Sequence, residues 1–183
     1  SFIVGGQWGS EAKGAAAAWV AKTVAQLPDG LFDIVTTNAG AQAGHTSVHA
    51  GVKRVVYHLP TAPLIAPGST VYLNAGSVID PVGLEKELMS HGVFRQSRLY
   101  IHPNAAIITD DCRDAEGRPD SAQTKIASTR KGVGEALARK VLRSGLVARN
   151  HPFTARYVRR LDLNSRLMNG SSVLVEVPQG HGL

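Results

Sequence analysis

The stretch that most restricts this chain comes first. Apolar residues 2–4 lead into a turn carrying Gly5, Gly6 and Gly9, and an alanine-rich run follows over 14–26. That order predicts a buried strand, a glycine turn and a helix. A strand that runs through glycines into a helix N-terminus makes an anion site. Backbone N–H groups point at the ligand, the helix dipole favours negative charge, and glycines allow close approach. Gly9, Ser10, Glu11, Ala12, Lys13 and Gly14 are the candidate phosphate-binding residues, with Lys13 where a cation would be useful. The same residues also suit a tight βα turn with an exposed lysine. The segment is not a Walker A loop, which has Gly before its lysine and Ser or Thr after it. Here Ala12 and Gly14 flank Lys13.

Further β-rich runs lie at 32–37, 70–74 and 173–177, with shorter ones at 97–102 and 105–109. Residues 46–49 and 54–59 flank Ala50 and Gly51 in a hairpin-like pattern. Pro81 opens a predicted helix to residue 90, since proline suits a first helical turn. A second helix is predicted over 134–143, and the polar stretch 110–123 reads as a loop. Strands alternating with helices predict an α/β fold with a mostly parallel sheet and flanking helices. At 183 residues the chain is most simply one domain.

Hydrophobic content of 43% and charged content of 19% belong to a globular protein, and no apolar run reaches membrane-spanning length. A membrane is therefore not an expected partner. The formal charge of +6 points to anionic partners. The basic residues are dispersed, and with only 5% aromatics there is little to stack bases on. Small phosphorylated ligands explain the charge better than nucleic acid. The one cysteine, Cys112, rules out an internal disulfide framework and fits a reducing cytoplasm. Its neighbours Asp110, Asp111 and Asp114 offer nothing to lower a thiol pKa.

Two more stretches carry candidate chemistry. Asn38, Gln42, Gly44, His45 and Thr46 follow a strand end, where ligands of open α/β sheets bind. Small residues there leave backbone free to meet phosphate, and His45 can give a proton near neutral pH. The alternative is a flexible loop with a surface histidine. Ser128, Thr129, Arg130, Lys131 and Gly132 bring hydroxyls, cations and a glycine together just before a helix. That suits a second phosphate loop or, equally, a capped helix with a solvated basic start. No His/Cys cluster has zinc-ligand spacing, whereas Mg2+ held partly by nucleotide phosphates needs few protein ligands.

Together these stretches resemble the adenylosuccinate synthetase family. Residues 7–14 are similar to its Q-W-G-D-E-G-K-G motif, and 43–46 to the end of N-A-G-H-T. His58, Leu59 and Pro60 are similar to a shortened H-L-I-P, 128–134 to T-T-G-R-G-I-G, and 176–180 to E-G-A-Q-G. The segments occur in family order. The resemblance implies a ligase that phosphorylates a purine 6-oxygen from ATP or GTP and joins L-aspartate there. It implies catalytic roles for Ser10, His45 and Gln179, and phosphate binding by residues 9–14 with Gly44, His45 and Thr46. Substrate contacts fall to Asn38, Gln42, Ser128, Thr129, Arg143 and Gln179, and Mg2+ contacts to Ser10 and Gly44. Arg143 matches a residue that reaches the neighbouring subunit's monophosphate, which implies a homodimer.

The departures are informative. Ser10 replaces the family's aspartate, Ala12 and Arg130 replace glycines, and Gln42 replaces an asparagine. Ser10 and the ending at 180–183 resemble the phage-associated branch, which acts on dGMP and would work in a host cytoplasm. An ordinary enzyme acting on IMP with GTP, or a non-catalytic nucleotide-binding remnant, are the other readings. The chain is expected to be the N-terminal part of a longer synthetase.

Overall fold

The computed structural model describes residues 1–6, 11–27, 30–95, 98–125 and 128–180. The runs rich in Val, Ile, Thr and Leu lie side by side. β1 (Phe2–Gly5), β2 (Ile34–Thr37), β5 (Thr70–Leu73), β7 (Arg98–Ile101) and β9 (Val173–Gly180) form one sheet in the order β1-β9-β2-β5-β7. Every pairing in it is parallel. β2 is buried at all its positions, as expected of a strand covered on both faces. β1 corrects the expectation of a buried strand. It is an edge, paired among the described residues with β9 alone, and Phe2 and Val4 are 72% and 62% exposed. Ile3, on the other face, packs toward Phe32, Val35 and Leu174.

Helix α1 (Lys13–Val24) follows the first turn and buries Ala17, Ala18 and Ala21, so small residues line its inner face. The hairpin pairs β3 (His45–His49) with β4 (Val52–Val56). Ala50 and Gly51 have φ of 48° and 75°, as a two-residue turn matched to strand twist requires. The second strand therefore starts and ends earlier than 54–59. β6 (Val78–Ile79) and β8 (Ala106–Ile107) form a short parallel pair. α2 (Pro81–Ser90) starts at its proline, capped by the Asp80 carboxylate, which accepts from the Val82 N–H at 3.2 Å.

The polar stretch 110–123 is not a loop. It contains α3 (Asp110–Gly117), and α4 (Ala122–Lys125) follows. Asp110 and Asp111 favour the positive end of the helix dipole. Cys112 and Glu116, four residues apart, make its buried face. α5 (Val133–Val141) and α6 (Leu163–Met168) complete the helices. Among the described residues no helix is long and apolar enough to cross a membrane.

The largest core cluster joins Leu73, Ile79, Leu84, Ile101 and Ile107 beneath the sheet's far strands. At the near end, Gly5 is level with Gly180 and Thr37 with Glu176. The carboxyl ends of β1, β9 and β2 therefore open onto one region, where the strand order skips in sequence.

Candidate active site

Lys13 is the first residue of α1, preceded by Ala12 in left-handed backbone with φ 58° and ψ 28°. Among the described residues no side chain caps this helix start, a setting in which first-turn N–H groups can meet an anion. Lys13 is 6% exposed, and its Nζ lies 3.8 Å from Glu11 Oε2. The other Glu11 oxygen accepts from the Gly6 N–H at 2.8 Å. Gly14 lets the helix sit against the hairpin. A Cβ there would come within 3.0 Å of His45 Cβ, the Thr46 carbonyl oxygen and Thr61 Cγ2.

His45 opens β3 and is nearly buried. Its Nδ1 is in hydrogen-bond contact with Glu176 Oε1, and its Nε2 lies 3.4 Å from the Pro178 carbonyl oxygen. Burial pulls the His45 pKa down and the nearby Lys13 charge adds to that. The hydrogen bond and charge of Glu176 outweigh both, so the net shift is upward from 6.5.

A cleft of about 1060 Å³ brings these groups together. Glu11, Ala12, Lys13 and Gly14 line it from the first turn, with Gln42, Gly44, His45 and Thr46 opposite. Ser128, Thr129 and Pro178 complete that end. It then runs on between α1 and the hairpin tip, past Trp19, Lys22 and His49. Gln42 Oε1 is buried on this wall without a hydrogen-bond partner among the described residues. Gly40 makes room for it, since a Cβ there would meet Oε1 at 2.6 Å. The 128–132 loop is tethered at its C-terminal end. Lys131 Nζ donates to the Ala41 carbonyl at 3.1 Å and lies 4.8 Å above the Tyr57 ring. Glu116 accepts from the Gly132 N–H at 2.7 Å and the Glu135 N–H at 3.0 Å.

Some candidates are not gathered. Asn38 is exposed and its side chain packs at Gly76. Arg143 lies just past α5, exposed, outside the cleft. Gly9 and Ser10 lie outside the described residues, as does the Gln179 side chain, although Gln179 belongs to β9. Sequence reasoning missed Glu176 and Thr61. A carboxylate inside the apolar run of β9 was the available signal for the first. Thr61 carried none.

Among the described residues no group of three His, Cys, Asp or Glu could hold a metal. Gln42 and Gly44, which line the cleft beside Glu11 and His45, carry neutral oxygen donors. Such donors suit a hard cation held mainly by nucleotide phosphates.

A parallel sheet opening at its carboxyl ends onto a helix start, a buried lysine and a carboxylate-paired histidine defines an α/β fold with a candidate anion site. The adenylosuccinate synthetase family model matches residues 2–172. An adenylosuccinate synthetase of Pyrococcus horikoshii is 32% identical over 185 residues, covering 100% of this chain and 53% of the relative. One from Paraburkholderia phymatum is 34% identical over 153 residues, covering 79% of this chain and 32% of the relative. Among solved structures, the succinoaminodeoxyadenylate synthetase of cyanophage S-2L, bound to dGMP and dATP, matches with TM-score 0.79 and 30% identity. It covers 100% of this chain and 53% of its own. The Plasmodium falciparum adenylosuccinate synthetase matches in fold, with TM-score 0.74 at 21% identity, over 98% of this chain and 51% of its own. The chain belongs to the adenylosuccinate synthetase family, a family of ligases. It spans between 26% and 53% of the length of these and other relatives.

Proposed function

We propose that the chain is the nucleotide-binding part of a purine-nucleotide ligase that phosphorylates the 6-oxygen of dGMP from ATP or GTP and joins L-aspartate at that carbon. One observation carries the reading: Lys13, His45 and Thr129 line a single cleft. Lys13 and the first turn of α1 bind the donor phosphates. Ser128 and Thr129, with Gln42, take the substrate monophosphate. His45 steadies the charge that develops on the transferring group and supplies a proton through Nε2. Gln179 addresses the purine 6-oxygen. Phosphoryl transfer depends mostly on such positioning and charge stabilisation. Mg2+, when bound, neutralises phosphate charge, with Gly44 and Ser10 as the residues that would hold it. Arg143, outside its own cleft, is the residue to reach a second copy's monophosphate in a homodimer.

The dGMP assignment is supported by Ser10 in place of the family aspartate, and by likeness to a cyanophage enzyme whose structure holds dGMP. Serine cannot act as a carboxylate base at neutral pH. IMP is the second reading, favoured by cellular relatives with 32% and 34% identity. Both are tested by incubating the full-length enzyme with aspartate, Mg2+ and ATP or GTP, offering dGMP and IMP separately. Adduct formation with dGMP supports the first reading. Adduct formation with IMP alone rejects it.

A further inference from the structure

Glu176 sits in the middle of β9, level with Ile3 on one neighbour and Thr37 on the other, and is fully buried. A carboxylate there is costly unless every oxygen is met. Among the described residues the one cationic partner it has is His45. Its remaining partners come from Thr61, also fully buried. The Thr61 N–H donates to Oε2 at 2.9 Å, and the hydroxyl lies 3.2 and 3.1 Å from the two oxygens. The same hydroxyl is 2.7 Å from the Gly14 carbonyl, one residue beyond Lys13.

We infer that Glu176, braced by Thr61, is a positioning residue that fixes which nitrogen of His45 serves the cleft. An ionised carboxylate only accepts hydrogen bonds. The Thr61 N–H donates to one oxygen, so that oxygen is an acceptor, and the other faces Nδ1. With Glu176 ionised, Nδ1 carries a proton, and Nε2, whose protein contact is the long 3.4 Å one to the Pro178 carbonyl, is the nitrogen left to exchange one with a ligand. The ring cannot turn over without setting Nδ1 free and pointing a carbon at the carboxylate. Because Thr61 also holds Gly14, the phosphate turn and the histidine are fixed to one carboxylate. This deepens the ligase reading, and its kinetic consequence rests on that reading. The ring geometry does not.

The experiment has two arms. In 15N-labelled protein, long-range correlation spectra of the neutral His45 ring are expected to show the Nδ1–H form. Glu176→Gln keeps the size, but its amide group can accept from only one of the two donors that face it. It is expected to give a mixture of tautomers. Thr61→Val, which removes the hydroxyl and keeps the shape, is expected to shift the mixture the same way by less. In the kinetic arm, Glu176→Gln is expected to lower kcat on the order of 10²-fold, the lower end of what a positioned acid contributes. KM for the monophosphate is expected to stay within about twofold, since the substrate contacts are elsewhere. An unchanged Nδ1–H signal in both variants, or an Nε2–H form in the parent, overturns the inference. If Glu176→Gln does not fold, Thr61→Val decides alone. A parent enzyme without ligase activity defeats the proposed function and leaves the tautomer arm intact.

Discussion

Gly14 stands so close to His45 that a Cβ on the glycine would lie 3.0 Å from the histidine's own Cβ. The other neighbours of that Cβ, the Thr46 carbonyl and Thr61, are held by the hairpin ladder and by full burial. Gly14→Ala gains at most about 1 kcal/mol of helix propensity and loses about 1–3 kcal/mol by overpacking. Net destabilisation is expected, with Tm roughly 2–4 °C lower per kcal/mol lost. Turnover should fall further than stability, because the displaced group is His45. A calorimetric Tm at or above that of the parent would contradict the close contact.

Ala12 and Arg130 both occupy left-handed backbone, at φ 58° and 50°, and both stand where the family motifs have glycine. A side chain there costs about 1–2 kcal/mol, partly offset because glycine loses more entropy on folding. Ala12→Gly and Arg130→Gly are each expected to stabilise by about 0.5–1 kcal/mol in chemical denaturation. No gain at either position would show that the surrounding turn relieves the strain.

Glu116 fixes the start of α5 by accepting from Gly132 and Glu135 N–H groups, and it is 3% exposed. Glu116→Ala leaves both donors without that carboxylate and opens a void, costing about 2–3 kcal/mol. The 128–132 loop carries Ser128 and Thr129, so the KM for the monophosphate should rise as well. A variant with parent-like urea unfolding would refute the cap.

Much of this was legible in the sequence because the deciding interactions are local. Strand, turn and helix at the start, Pro81 opening α2, and Ala50-Gly51 at a hairpin tip all follow from rules a few residues long. What was not legible depends on distant partners. Glu116 lies in a stretch too polar to suggest a helix, and the backbone N–H groups of Gly132 and Glu135, well separated in sequence, explain its burial. Phe2 and Val4 read as core until the sheet order makes β1 an edge. Glu176 is a charge inside an apolar strand, a signal that was passed over, and its partners, His45 and Thr61, are 131 and 115 residues away.

His102 titrates below 6.5. Its burial is the main cause, and the charges of Arg160 and Lys140 add to it. Its Nδ1 accepts from the Asn104 N–H at 3.0 Å, an acceptor that protonation would remove. The unfolded chain therefore binds the proton more readily than the folded one. Stability from this group is full above pH 6.5 and is lost as pH falls from 6.5 through the folded pKa. NMR titration should place the ring's midpoint under 6.5, and Arg160→Ala should move it up. A midpoint at or above 6.5 would refute the depression.

Lys13 separates the functional and structural accounts of the first turn. It is 6% exposed, with its Nζ 3.8 Å from Glu11 Oε2. Removing one partner of a buried charge pair destabilises a fold, because the other charge is left uncompensated. A lysine kept only for the fold should therefore cost stability when replaced and leave nucleotide affinity unchanged. One kept for phosphate should cost affinity. Lys13→Met keeps the apolar stem and removes the charge. Its Tm is expected to be unchanged or lower, while affinity for non-hydrolysable ATP and GTP analogues falls about 10- to 100-fold. That matches a lost charge-assisted contact of about 1.5–3 kcal/mol. Calorimetric titration of the full-length enzyme reads the affinity, and a thermal scan of the same samples reads the stability. A lower Tm with unchanged nucleotide affinity would make Lys13 a structural residue and remove the phosphate site from the helix start.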